Sequence, residues 1–243
     1  VARPTVVLLH GVGLDRSVWE PLTELIGGRY DVVALDLPGH GSRPPVSAGI
    51  TLSDLADGVA ESIPAGAHVV GFSLGALVAQ HLAVHRPGLV RTLTCVSSVC
   101  DRTPDERTAV LARLRVAEAA LAASSEASIS RWYDGTDVPD AIVAHTREVL
   151  LANDEESFLA CYRVFATADA EIAPHLGSIA VPTLAITGAE DPGSTPEMSR
   201  RLAAAVPGAS AVIVPGARHM LPVQDPAALA AHLTAFIGES AHV

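Results

Sequence analysis

Gly71-Phe72-Ser73-Leu74-Gly75 follows an apolar run at 67–70 and precedes Ala76-Leu77-Val78-Ala79-Gln80-His81-Leu82, which reads as a helix. The pattern is G-x-S-x-G set between a strand and a helix. A serine in that setting sits on a tight, strained turn that lifts its hydroxyl clear of the sheet, and glycines on either side let neighbouring backbone pass close. Ser73 is therefore the candidate nucleophile. The Leu74 N–H, at the helix start, is a candidate donor to an oxyanion. A serine in an ordinary turn is the alternative, and the flanking strand and helix disfavour it.

A serine hydroxyl is a weak nucleophile near neutral pH and needs a histidine base oriented by an acid. With this turn type the order along the chain is Ser, Asp, His. Val181-Pro182-Thr183-Leu184-Ala185-Ile186-Thr187 reads as a buried strand running into Gly188-Ala189-Glu190-Asp191-Pro192. Residues 211–214 read as a strand running into Pro215-Gly216-Ala217-Arg218-His219. Loops at the carboxyl ends of parallel strands share one edge of the sheet, so Ser73, Asp191 and His219 are expected to converge. Asp101, just past the strand at 90–96, is the rival acid, and Glu190 is expected to be solvated. A second oxyanion donor is expected from Leu8-Leu9-His10-Gly11-Val12-Gly13, and the role is assigned to the Val12 N–H. His10 and His40 are expected to support loops, and His81 and His85 to pack or lie partly exposed.

The apolar periods predict strands over 5–9, 32–35, 67–72, 90–96, 183–187 and 211–214, with helices over 17–26, 53–63, 74–85, 196–205 and 227–237. Alternation of strand and helix implies a parallel sheet covered on both faces. A helical insertion interrupts it at 103–175, giving a core of 1–102 and 176–243 and a cap of 103–175. Thr103-Pro104-Asp105-Glu106 is a capping box with proline at the first helical position, followed by the stripe Val110, Leu114, Ala117, Leu121. Asn153 with Glu156 repeats the capping pattern ahead of Phe158, Tyr162 and Phe165, which are expected to pack as cap core rather than roof a pocket.

Composition bounds the function. The chain has 243 residues, of which 49% are apolar, enough for one substantial core. Its formal net charge of −11 opposes a nucleic-acid or anionic-membrane partner. Cys95, Cys100 and Cys161 form no CxxC pair, so buried thiols and a reducing, cytoplasmic setting are expected. No apolar run approaches the roughly 20 residues that cross a bilayer. DLPGHG at 36–41 lacks the G-x-G-x-x-G fingerprint, and no metal-ligand cluster or phosphate loop is legible, so neither metal nor cofactor is expected. The expected partner is a small-molecule ester or lactone; the oligomeric state is not readable.

LLHGVG (8–13), DLPGHG (36–41), GFSLG (71–75), ITGAEDP (186–192) and PGARH (215–219), in this order across nearly the whole chain, resemble the α/β hydrolase superfamily. That resemblance implies an α/β hydrolase fold. The two antiparallel strands that usually open it have almost no counterpart here, so a sheet of about six strands is expected. HGVGLDRSVWEPL (10–22), RWY (131–133), ANDEESFLACYRVFATAD (152–169) and GAEDPGSTPE (188–197) are most similar to 3-oxoadipate enol-lactone hydrolases. Those enzymes differ from this chain at His10-Gly11 and Gly75-Ala76. The resemblance implies Ser-His-Asp hydrolysis of an ester or lactone. A lactone bearing a carboxylate needs a cation in the site, for which Arg131, beside Trp132, is the first candidate and Arg163 the second; both equally suit a surface. A general carboxylesterase or a cofactor-free perhydrolase or haloperoxidase shares the same three residues, and a non-catalytic receptor can use the same scaffold.

Overall fold

Runs rich in Val, Leu and Ile form β1 (Thr5–Leu9), β2 (Asp31–Leu35), β3 (Ala67–Phe72), β4 (Val90–Val96), β5 (Thr183–Gly188) and β6 (Ser210–Val214). In this computed structural model, which describes residues 3–240, they pair in parallel in the order β2-β1-β3-β4-β5-β6. The outermost residues of the expected core, 1–2 and 241–243, lie outside the described residues. Every position of β3 is buried, because helices cover both sheet faces and leave no polar side. The edge strands β2 and β6 keep exposed positions.

The core helices are α1 (Glu20–Ile26), α2 (Leu52–Ala60) and α3 (Leu74–His85). The helix expected over 17–26 divides in two: the Asp15 carboxylate accepts from the Ser17 N–H and starts a 3-10 turn, Arg16–Trp19, ahead of α1. α2 starts one residue early because Thr51 and Asp54 form a capping box. Four helices fill the insertion after β4: α4 (Pro104–Ala119), α5 (Leu121–Tyr133), α6 (Asp140–Leu151) and α7 (Glu155–Ile172). The box of Thr103 and Glu106 opens α4, and Val110, Leu114 and Ala117 are buried; a break at Ala120 puts Leu121 on the next helix. After the insertion come α8 (Pro196–Ala205), α9 (Leu221–Gln224) and α10 (Pro226–Ser240).

Asn153 does not cap α7. Asp154 does, accepting from the Ser157 N–H, while the Asn153 amide donates to the carbonyls of Val149 and Leu150 at the end of α6 and to Gly13 O in the core. A second tether is buried. Asp169 on α7, fully enclosed, accepts from the Arg102 guanidinium at 2.7 Å, from the Arg102 N–H at 2.8 Å and from Arg107 at 3.0 Å. The Arg102 guanidinium also lies 4.7 Å over the Phe165 ring. Together these bonds fix the insertion over the carboxyl edge of the sheet.

All three cysteines are free, buried thiols. Burial pushes each up to about 12, so they stay protonated. Among the described residues no helix is long and apolar enough to cross a membrane.

Candidate active site

The sheet order reverses direction between β1 and β3, and the loops leaving neighbouring strands there open a crevice. Ser73 leaves β3 with φ 54 and ψ −113, a conformation that L residues adopt only under constraint. Close packing imposes it. A Cβ on Gly71 would lie 2.1 Å from Gly75 O, and one on Gly75 would lie 2.2 Å from Leu9 O, so both positions require glycine. The Ser73 N–H donates to Val96 O at 2.9 Å, which ties the turn to β4.

Two buried imidazoles shape the loop after β1. His10 Nε2 accepts from the Leu37 N–H at 2.9 Å, so its proton sits on Nδ1 and is donated to Gly11 O at 2.7 Å. The Gly11–Val12 peptide is planar and trans, so holding that carbonyl fixes the opposite direction of the Val12 N–H. His40 Nε2 accepts from the Gly13 N–H at 2.9 Å and its Nδ1 donates to Pro38 O at 3.0 Å. Burial lowers His10 to about 4 and His40, further depressed by its neighbour His10, to about 3. Both are neutral at physiological pH, as two acceptor nitrogens facing backbone N–H groups require. Asp36, at the end of β2, is buried, which opposes its charge. Bonds from the Ser42 and Arg16 N–H groups and the Ser42 hydroxyl outweigh that and hold it below the usual carboxylate range.

Asp191 follows β5 and His219 follows β6, on adjacent strands. His219 Nδ1 and Asp191 Oδ2 are 2.8 Å apart, and the other carboxylate oxygen accepts from the Gly193 and Ser194 N–H groups at 2.9 and 2.8 Å. The carboxylate is thereby locked against rotation. The Ser97 hydroxyl donates to His219 O at 3.1 Å from the end of β4. The His219 ring lies between two aromatics: Phe72 at 5.1 Å and Trp132, stacked at 5.6 Å with 26° between planes. Asp101 is exposed, with φ 40, and forms no hydrogen bond or ion pair with His219 among the described residues. Glu190 is exposed.

Ser73, His219, Asp191 and Val12 line one cleft of about 600 Å³, mouth included. The Ser73 hydroxyl makes no side-chain hydrogen bond, to His219 or any other group, among the described residues, though both residues line this cleft. Unliganded sites of this kind commonly tighten only around substrate.

A model of the alpha/beta hydrolase family matches residues 6–232. The chain belongs to the α/β hydrolase family. It is 30% identical over 226 residues to the (E)-2-((N-methylformamido)methylene)succinate hydrolase of Acinetobacter baylyi, covering 91% of this chain and 85% of that one. Identity to the pimeloyl-[acyl-carrier protein] methyl ester esterase of Methylococcus capsulatus is 43% over 91 residues, 37% of this chain and 35% of that protein. The enol-lactonase of Burkholderia xenovorans LB400 superposes with a TM-score of 0.85 at 25% identity, over 98% of this chain and 92% of the other. A thermophilic esterase from Thermogutta terrifontis shares the fold, with a TM-score of 0.86 at 21% identity over 98% and 91% of the two chains.

In this hydrolase Arg131 and Trp132 line the cleft. Arg163 does not: it pairs with Glu118 at 2.8 Å on the surface, both side chains more than a third exposed. The spacing on α7 explains this, since Arg163 lies on the opposite side from Phe158, Tyr162 and Phe165. Those three are buried, as expected of cap core, and they also roof the cleft. Arg113 lines it too and escaped the sequence reading, because only the packing of α4 on α5 turns it inward. Ser97 was missed for the same reason: nothing in its sequence neighbourhood announces a bond to His219.

Proposed function

We propose that this chain is a serine hydrolase that cleaves a carboxylic ester or lactone through an acyl-enzyme, with a substrate most like that of an enol-lactonase. The observation that carries the reading is the 2.8 Å contact of Asp191 with His219 Nδ1, in a cleft that also holds Ser73 on its strained turn. With Nδ1–H committed to Asp191, Nε2 is the acceptor that takes the Ser73 proton as Oγ attacks the carbonyl carbon. The oxyanion is received by the Val12 and Leu74 N–H groups, the first aimed by the His10 bond and the second by its place at the start of α3. His219 then returns the proton to the leaving oxygen. Water, deprotonated by the same imidazole, cleaves the acyl-enzyme. Arg131, in the cleft and free of any carboxylate partner among the described residues, suits an acidic substrate.

The test is labelling with a fluorophosphonate alongside hydrolysis of a panel of lactones and short-chain esters. Stoichiometric labelling of Ser73, turnover of at least one panel member, and loss of both in Ser73→Ala are expected. Labelling without turnover would favour a receptor, and turnover surviving Ser73→Ala would remove the mechanism.

A further inference from the structure

The described arginines that lack an ion-pair partner fall into two groups. Arg3, Arg16, Arg29, Arg43, Arg91 and Arg115 are exposed, where water solvates the charge. Arg113 on α4 and Arg131 on α5 are different: both are half-buried and both line the cleft that holds Ser73. Neither forms a salt bridge among the described residues. Arg131 donates to the Ser128 hydroxyl at 2.9 Å and weakly to Ala127 O at 3.4 Å, neutral groups that orient it without cancelling its charge. Burial lowers Arg131, repulsion from Arg113 lowers it further, and Tyr162 and Asp191 act against this. The two guanidiniums therefore share one electrostatic neighbourhood. Asp191 favours the charge on Arg131 from a distance but forms no salt bridge with it, its oxygens being held by His219 and two N–H groups.

A second observation points to an absent polar ligand. The Ser125 and Ser194 hydroxyls line the same cleft, are 2% and 0% exposed, and have no hydrogen-bond partner. Buried hydroxyls are ordinarily satisfied. Two partly desolvated cations without acid partners and two unpartnered hydroxyls, all in the lining of one cleft, form a site that lacks its polar ligand in a chain whose net charge is −11.

We propose that the cleft is built for a substrate carrying two carboxylates, gripped by Arg113 and Arg131 together. One carboxylate would leave one of the two guanidiniums without an acid partner in the partly dry site; two pair both and offset their mutual repulsion. Guanidinium and carboxylate match as a bidentate pair, so each arginine takes one acid group, with Ser125 and Ser194 available to the remaining oxygens. As a substrate site the cleft rests on the hydrolase reading above; its preference for diacids does not.

The experiment uses full-length Ser73→Ala protein and isothermal titration with succinate, glutarate and adipate, each compared with the monocarboxylate of equal chain length. At least one dicarboxylate is expected to bind about tenfold or more tighter than its monocarboxylate. Arg113→Gln, which breaks no side-chain hydrogen bond or ion pair among the described residues, is expected to reduce that ratio to about twofold or less. Arg163→Gln, on the outer surface, is expected to leave it intact. Equal affinity for mono- and dicarboxylates, no binding of either at millimolar concentration, or a ratio that survives both Arg113→Gln and Arg131→Gln would overturn the proposal. If the preference holds while wild-type protein hydrolyses no ester or lactone, the hydrolase reading fails and the diacid site stands. If esters are hydrolysed without a diacid preference, the present inference alone falls.

Discussion

At the scale of single residues, the site is held by backbone that a side chain cannot share. The φ of 54 at Ser73 costs of order 1–3 kcal/mol for a residue with a Cβ. Ser73→Gly is therefore expected to abolish turnover yet raise stability by about 1 kcal/mol, a melting-temperature rise of roughly 2–4 °C in a chain of this size; an unchanged or lower melting temperature would show that the turn is relaxed. Gly188 makes the complementary case. A Cβ there would lie 2.1 Å from Ala217 O and 2.6 Å from Arg218 O, both backbone atoms in the loop that carries His219. Gly188→Ala is expected to displace that loop and cut kcat/KM by about 100-fold or more, whereas Gly28→Ala, with open space around it, leaves activity and stability nearly unchanged. The residues with intrinsic chemistry, Ser73, Asp191 and His219, were legible because each follows a strand pattern in a turn-rich loop. Gly188 and Arg113 were not, because what each one touches is set by packing between distant segments.

At the scale of elements, the insertion stays over the sheet by a small number of strong contacts. Removing Asp169 leaves Arg102, 1% exposed at its side chain, without its partner in the interior. Asp169→Ala is expected to cost about 3–5 kcal/mol in urea unfolding, as uncompensated buried charges do. Arg107→Ala is expected to cost far less, since Arg107 is 28% exposed and Arg102 keeps its bond to Asp169. Equal losses would argue that the cluster acts through packing. Local signals predicted the element ends well where the cap is local: Thr103 and Glu106 close a box within four residues. They failed at Asn153 and Asp154, two residues with the same capping chemistry side by side, because a bond from Asn153 to Gly13 O, far away in the chain, decides between them.

At the scale of the molecule, two neutral imidazoles make the fold sensitive to acid. His10 and His40 lie near 4 and 3, below the value of about 6.5 they take in the unfolded chain. As pH falls from about 6.5 the unfolded state binds protons that the folded state refuses, so unfolding free energy declines, the His10 contribution being lost by about pH 4 and that of His40 by about pH 3. Asp36, held low, adds a loss in the same direction at lower pH. Each pKa unit corresponds to about 1.4 kcal/mol, so a decline of several kcal/mol between pH 6.5 and 4 is expected in denaturant titrations. A flat stability from pH 7 to 5 would show that these nitrogens are not holding backbone N–H groups. The parallel sheet was foreshadowed by alternating apolar periods, whereas its strand order and the fit of four insertion helices to one another had no sequence period to announce them. The sealed thiols carry a practical consequence for the whole chain. The chain has sixteen arginines and no lysine, so no lysine amine competes for electrophiles, and Cys95, Cys100 and Cys161 are shut inside. Maleimide should therefore modify the protein only as fast as it opens, turning alkylation into a clock for unfolding that needs no engineered probe.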